Sequence, residues 1–313
     1  MKIDNKKILI LYGGWSDERS ISLESGKSVY ESLKNEGFNV LLFDFNIDDP
    51  CLLEKFVHKN NIDIVFNLIH GVGGEDGHVQ GYLEKIPVKT VGSDSSSSCK
   101  SFNKILTKET WKANNLPTPD YYNINSNIFE GNIMNKLGDK FVIKPIKSGS
   151  SVGIKILNKK DFILDNHKIS YEKLCSMMNK NISPEEYFIE EYIDYAEYTA
   201  PIIGETVFPI IKIETAREFY NYDAKYLDDD TLFTFPEFPK NIQQKINEMT
   251  LAAFKSVGCT MWGRVDFFMN DEYDIKLIEI NSIPGMTSHS LVPMSAKKLG
   301  LSYIDLVSLI LKC

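Results

Sequence analysis

Lys7-Ile8-Leu9-Ile10-Leu11-Tyr12-Gly13-Gly14 is a short apolar run closed by two glycines, the pattern of a strand buried inside a sheet. The next sixty residues make it the first strand of a repeating unit. From Glu18 to about Lys34 the pattern is helical, and Gly37 closes it. A second strand is read at 39–45, a short helix at 50–59 and a third strand at 62–69. This alternation predicts a parallel sheet with helices on its faces, an α/β, doubly wound arrangement.

Outward from this unit the character changes. A glycine-rich loop is read from His70 to Gly81, and a polar stretch, Ser93 to Ser98, leads into a helix near 99–115. Pro117 and Pro119 break that helix. Strand 140–146, the loop Lys147 to Gly153 and another strand come next, then a mixed segment at 158–186, helical in part. Strands are expected at 187–193, 199–203 and 207–213, an irregular polar stretch at 214–236 and a helix at 240–257. Strands 263–269 and 274–281, joined through Asn270 to Tyr273, form a hairpin, and an amphipathic helix is read at 303–311. The C-terminal part therefore has α+β character. The expected domains are 1–100, 101–187 and 188–313.

Composition narrows the function. The 313 residues carry 35 Lys+Arg against 43 Asp+Glu, a net charge of −8, so the basic footprint of a nucleic-acid or anionic-membrane binder is missing. No apolar run reaches the roughly 18 to 20 residues of a membrane span. The start lacks a signal peptide's apolar stretch, so a cytoplasmic location is expected. The five cysteines (Cys51, Cys99, Cys175, Cys259 and Cys313) are far apart, which disfavours zinc and disulfides and reads as buried small side chains. Only three arginines occur, Arg19, Arg217 and Arg264, so an arginine here marks a place where the planar fork is needed.

Two nucleotide motifs fail. Gly26-Lys27-Ser28 resembles the end of a P-loop, but position 21 is Ile and the triplet lies inside a helical run. Gly71-x-Gly73-Gly74-x-x-Gly77 comes after a strand as a dinucleotide fingerprint should, yet its last glycine is one place late, and Glu75 and Asp76 would repel a pyrophosphate.

Other constellations carry chemistry. Arg264 and Asp266 share one face of a hairpin strand, and Glu279 and Asn281 share a face of the next. Two carboxylates and an amide oxygen are hard ligands suited to Mg²⁺. Ser282-Ile283-Pro284-Gly285-Met286-Thr287 comes next, a turn with free backbone amides, and Ser288, His289 and Ser290 add donors. Lys144 ends a strand before the Gly/Ser loop 147–153, which either cradles phosphates or is an ordinary turn. Lys104, on a helix, would alone pass for a surface lysine. Phe188-Ile189-Glu190-Glu191-Tyr192-Ile193 reads as an adenine slot, with Glu191 or Glu197 for ribose hydroxyls, or as a half-buried strand. Asp17-Glu18-Arg19-Ser20 lies just after Gly13-Gly14, and Tyr220 to Tyr226 is an aromatic-rich irregular stretch.

In this order, segments 12–22, 70–77, 142–153, 222–226, 263–266 and 279–293 resemble the D-alanine–D-alanine ligases of the ATP-grasp superfamily over essentially the whole chain. The last, Glu-Ile-Asn-Ser-Ile-Pro-Gly-Met-Thr-Ser-His-Ser-Leu-Val-Pro, is long and specific. The resemblance implies three domains, ATP held between the second and third, two Mg²⁺ (or Mn²⁺) ions, and a cytoplasmic role in peptidoglycan precursor and cell-wall synthesis. It further implies D-alanine as substrate, with D-lactate or D-serine as the alternative acceptor, and a homodimer is expected. By the same resemblance Lys104 and Lys144 hold phosphates under a loop containing Ser150 and Ser151. Glu190, Glu191, Tyr192 and Ile193 line the adenine with Lys225, and Glu197 meets the ribose. Asp266, Glu279 and Asn281 bind metal. Arg264 and the Gly285 amide stabilise the tetrahedral intermediate. Glu18 and Ser290 hold substrate ammonium and carboxylate groups, and His70 faces the first substrate. Ser150, Tyr226 and Glu18 form a hydrogen-bonded link. Two departures from the family pattern stand out: Ile146-Lys147-Ser148 before Gly149, and Ile283 in the turn.

Overall fold

The computed structural model describes residues 5–124, 136–149, 153–161, 175, 176, 178, 183, 185–215 and 231–313. The first sheet has strands β1 (Ile8–Gly13), β2 (Val40–Phe45), β3 (Ile64–Asn67) and β4 (Lys89–Val91) in the order β2-β1-β3-β4, all pairs parallel. Both faces are buried, as expected from the unbroken apolar runs. Ile8, Ile10, Ile64 and Phe66 face a core shared with Val29 and Leu33 of helix α1 (Arg19–Asn35). Leu9, Leu11 and Val65 face the opposite core with Leu53 and Val57 of α2 (Pro50–Lys59) and Val79 and Leu83 of α3 (His78–Leu83). The α/β expectation for this region holds. Helix α3 stands where the sequence suggests loop, because Gly81 interrupts it; Gly81 sits where the helix runs close to Ser95.

Gly26 shows why the Gly-Lys-Ser triplet is not a phosphate loop. It lies mid-helix in α1, and a Cβ there would stand 2.5 Å from Tyr12 Cβ. The glycine lets α1 lie directly on β1.

The helix expected at 99–115 is two helices, α4 (Ser95–Phe102) and α5 (Lys104–Ala113). Asn103 between them is extended, and its side chain accepts from the N–H groups of Ile105 and Leu106, capping α5. On α5, Lys104, Lys108 and Trp111 share a buried stripe. Trp111 is fully buried and donates to the Ala253 carbonyl at 3.1 Å, fixing α5 to α6 (Lys240–Ser256).

Two antiparallel sheets complete the fold. One, in the order β5-β8-β6-β7, contains β5 (Tyr121–Asn123), β6 (Lys140–Pro145), β7 (Lys155–Asn158) and β8 (Tyr187–Glu191). The other runs β12-β11-β9-β13-β14, with β9 (Ala196–Ile203), β11 (Ile211–Glu214), β12 (Leu232–Thr234), β13 (Trp262–Met269) and β14 (Ile275–Asn281); β10 (Thr206–Val207) pairs with β9. The strand read at 207–213 is thus two, separated around Pro209, which has no N–H to give a ladder. The hairpin read at 263–281 is β13–β14. The segment read at 158–186 lies mostly outside the described residues.

Helices α7 (Leu291–Lys298) and α8 (Tyr303–Lys312) return to the parallel sheet. Val292, Leu306, Val307, Ile310 and Leu311 join Ile8, Ile10 and Phe66 in one core, with Trp262 edge-on to Phe66 at 5.4 Å. Ile283 is buried in that core, so the departure at this position is an apolar packing choice. Helix α7 escapes the sequence reading because of Pro293, which falls in its first turn, where proline costs no helix bond. All five cysteines are free, and among them only Cys259 is fully buried; its thiol is pushed up to about 11 by burial. Cys51, Cys99 and Cys313 are exposed, which corrects the expectation that they fill the core. No helix among the described residues is long and apolar enough to cross a membrane.

Candidate active site

In an open parallel sheet, ligands sit beyond the carboxyl ends of adjacent strands whose connections run in opposite directions. Here those strands are β1 and β3, and the loops after them carry Glu18 and His70. Both loops are tightly tied. Gly13 and Gly14 have φ of +90° and +74°, and a Cβ on Gly13 would stand 2.0 Å from Asp44 Oδ1. Arg19 grips Asp44 with both fork nitrogens, at 2.8 and 2.6 Å, and donates to the Gly14 carbonyl at 2.9 Å. In the second loop the acids turn inward: Gly71 N–H donates to Glu75 Oε1 at 3.1 Å and Gly73 N–H to Asp76 Oδ2 at 2.9 Å. The amides that a dinucleotide would need are already used.

His70 is buried. Its Nδ1 is 3.4 Å from Glu75 Oε1 and its Nε2 is 3.2 Å from Ser25 Oγ. Ser25 Oγ also accepts from the Met286 N–H at 3.0 Å, while Tyr303 OH donates to the Met286 carbonyl at 2.5 Å. The Met286 peptide is therefore held at both ends, and the turn containing Gly285 is tied to the His70 loop. Burial pushes the Tyr303 phenol well above its ordinary range, so it remains a donor. Gly285 lies against Ser290, whose Oγ would be 2.8 Å from a Cβ there. Ser290 is the N-cap residue of α7, and its Oγ accepts from Thr287 N–H at 3.0 Å. The start of that helix favours an anion such as a carboxylate.

The hairpin register brings the charged set together. Asp266 pairs with Glu279 and Arg264 with Asn281. Asp266 is buried. It accepts from Thr199 Oγ1 (2.5 Å), from Arg264 Nε and Nη2 (2.8 Å each) and from Asn281 Nδ2 (3.1 Å). Glu279 Oε2 is 3.3 Å from Lys104 Nζ, which also donates to the Ser148 carbonyl at 2.6 Å. Both arginines in the described residues, Arg19 and Arg264, thus use the fork on a carboxylate. Two carboxylates and an amide oxygen, compensated by Lys104 and Arg264, form a hard-oxygen set whose chemistry fits a divalent cation.

Between the two antiparallel sheets lies a cleft of about 400 Å³. It is lined by Lys104, Lys144, Glu190, Glu191, Tyr192, Ile193, Glu197 and Glu279 among others. Glu190 is completely buried and lies between two ammonium groups, with Oε1 against Lys108 and Oε2 against Lys144. Burial raises the Glu190 carboxyl, but the two lysines outweigh it and hold it below the usual range. Burial pushes the Lys108 ammonium down to about 8, against the pull of Glu190. Glu18 lies near this region too: a Cβ on Gly149 would stand 2.6 Å from Glu18 Oε2, and one on Gly71 2.7 Å from it. The loop after β6 therefore rests on the loop after β1. Ser150, Ser151, Lys225 and Tyr226 lie outside the described residues.

The sequence reading misses Ser25, Lys108, Thr199 and Tyr303. Lys108 has a usable signal, since it stands four residues after Lys104 and three before Trp111, on one helical stripe. The others are hydroxyl contacts across the fold, with no local pattern.

A nucleotide-sized cleft between two antiparallel sheets, with lysines on one side and a carboxylate hairpin on the other, defines an ATP-grasp enzyme. Residues 110–312 match the family model described as D-ala D-ala ligase C-terminus. The D-alanine–D-alanine ligase B of Chromobacterium violaceum is 37% identical over 301 residues, 96% of this chain and 95% of that protein. That of Haemophilus ducreyi is 35% identical over 314 residues, covering 100% and 99%. The crystal structure of the Bacillus anthracis D-alanine–D-alanine ligase complexed with ATP superposes with a TM-score of 0.78 at 27% identity, covering 98% of this chain and 96% of that one. The chain belongs to the D-alanine–D-alanine ligase family.

Proposed function

We propose that this protein joins two D-alanine molecules into D-alanyl-D-alanine at the expense of ATP, releasing ADP and phosphate. The observation that carries the reading is that the Arg264–Asp266–Glu279–Asn281 set borders the lysine-lined cleft. A carboxylate is a poor acyl donor. The first D-alanine attacks the terminal phosphorus of ATP through its carboxylate oxygen, giving an acyl phosphate and ADP. The amine of the second attacks the acyl carbon, and the tetrahedral adduct collapses with loss of phosphate.

Phosphoryl transfer of this kind depends on positioning and charge neutralisation. Lys104 and Lys144 supply cationic donors to the phosphates, and the loop from Lys147 through Ser150 and Ser151 covers them. Glu190, Glu191, Tyr192, Ile193 and Lys225 form the adenine slot, and Glu197 meets the ribose. Asp266, Glu279 and Asn281 hold Mg²⁺ or Mn²⁺, two ions in all, which when bound offset charge on the phosphates. Arg264 and the Gly285 amide meet the oxyanion of the adduct. Glu18 takes the ammonium of the first substrate, His70 faces it, and Ser290 takes the carboxylate of the second. Tyr226 and Ser150 link the covering loop to Glu18, which keeps water from the acyl phosphate. In this arrangement residues 1–100 supply the first substrate site, and 101–187 and 188–313 close on the nucleotide. The reading places the protein in the cytoplasm as a homodimer, making a peptidoglycan precursor for the cell wall.

The test is phosphate release with D-alanine alone, and with D-lactate or D-serine added, the products being identified by mass. D-alanine alone should support turnover and yield the dipeptide. A product formed only with D-lactate or D-serine would reassign the acceptor, and no phosphate release under any condition would overturn the reading.

A further inference from the structure

Two lysines share Glu190, and they do not have the same access. Lys144 lines the cleft, whereas Lys108 does not. The Lys108 side chain is 1% exposed and its ammonium is enclosed by the fold's own groups. It contacts Glu190 Oε1 and donates to Thr118 Oγ1 at 2.7 Å. Thr118 Oγ1 in turn donates to the Leu277 carbonyl on β14 at 2.9 Å, and the Tyr121 ring lies 5.9 Å away. Lys108 therefore cannot reach a ligand in the cleft, and Lys144 can.

The arrangement solves an electrostatic problem. In the unliganded protein Lys144 is paired with Glu190 Oε2. A triphosphate in the cleft competes for that ammonium. Were Lys144 the sole counter-ion, moving it toward phosphate would strand a fully buried carboxylate, which costs several kcal/mol. Lys108 occupies the other oxygen and stays there. We infer that Lys108 is a positioning residue of the nucleotide site: as the resident counter-ion of Glu190, it frees Lys144 to serve the phosphates of ATP. The inference rests on reading the cleft as the ATP site. The cost of burying the second ammonium is visible in its lowered proton affinity, yet near neutral pH it is still mainly protonated and able to do this.

The test compares the full-length parent with Lys108→Met, Glu190→Gln, the double variant and Lys144→Met. The readouts are kcat, the KM values for ATP and D-alanine, and ADP binding by titration calorimetry. Lys108→Met should raise the KM for ATP by at least about tenfold, the scale of breaking a buried pair, with kcat at saturating ATP and the KM for D-alanine within about threefold. Adding Glu190→Gln should recover at least about threefold of the lost affinity, because no carboxylate then holds Lys144. Lack of recovery would show that Lys108 acts by packing alone and would overturn the inference. If Lys108→Met does not fold, the double variant is compared with Glu190→Gln. Their ATP affinities should agree within about threefold, and a tenfold gap overturns the inference. Lys144→Met separates the two levels. If it leaves the KM for ATP unchanged, the reading of the cleft fails and takes the inference with it. If it raises that KM while Lys108→Met does not, the inference alone fails.

Discussion

The parallel sheet and the β13–β14 hairpin deliver their chemistry in opposite ways. Within β1 and β3 nearly every side chain is buried, because helices cover both faces. Functional groups can leave such a sheet only beyond its strand ends, and Glu18 and His70 do so. The hairpin presents Arg264, Asp266, Glu279 and Asn281 from within its strands. The first arrangement depends on how loops are tied down, the second on strand register. Loop ties are individually small and spread over several contacts, whereas a register places all four groups at once. Changes in the hairpin should therefore cost far more activity than changes in the loop ties.

The largest expected effect is at Glu279. Glu279→Gln keeps the strand and the side-chain size but removes a charge from the cation set. Turnover should fall by about a thousandfold or more, corresponding to several kcal/mol, with far-UV circular dichroism unchanged. Near-parental activity at saturating Mg²⁺ would mean that the hairpin is not the metal platform.

Next is Arg264→Lys, which keeps the charge and loses the fork that holds both oxygens of Asp266. Turnover should drop roughly a hundredfold, the scale of one lost oxyanion donor, with little change in the KM for ATP. Equal activity would show that a point charge suffices.

On the side of the parallel sheet, Gly26→Ala tests packing without chemistry. A methyl group driven against Tyr12 should lower stability by about 2 kcal/mol in urea unfolding, while the folded fraction keeps its turnover number. A loss of turnover without a loss of stability would reinstate a functional role for the Gly-Lys-Ser triplet.

The smallest effect is expected from Ser25→Ala, which removes the bridge between His70 and the Met286 amide. Turnover should fall by roughly tenfold, the worth of about one hydrogen bond, with the KM for ATP unaltered. A fall as deep as that of Arg264→Lys would erase the distinction between tied loops and registered strands.

Legibility in the sequence divides along the same line. The hairpin set is readable because strand alternation fixes which residues share a face, and the register keeps that promise at Arg264, Asp266, Glu279 and Asn281. The alternation of strands and helices in the first region is readable from apolar runs alone. The Ser25–His70–Met286 bridge is not, since its members are held together only by tertiary packing. Asn103 misleads because an extended residue between two helices looks helical when apolar periodicity continues across it. Lys108 is easily overlooked because an isolated lysine reads as solvent-facing, and its partner Glu190 is remote in sequence. The covering-loop and acceptor-loop residues Ser150, Ser151, Lys225 and Tyr226 rest on the family resemblance alone.

The core that joins β1 and β3 to α7 and α8 has a consequence for how the chain is made. During synthesis the parallel sheet leaves the ribosome first, yet one of its faces waits for the helices encoded last. Until residues 291–312 emerge, Ile8, Ile10 and Phe66 lack part of their cover, and the nascent sheet offers an apolar surface to its surroundings. The oldest part of the polypeptide is thus the last to be sealed. A ribosome stalled anywhere before the final helices would hold a sticky intermediate, a natural client for chaperones.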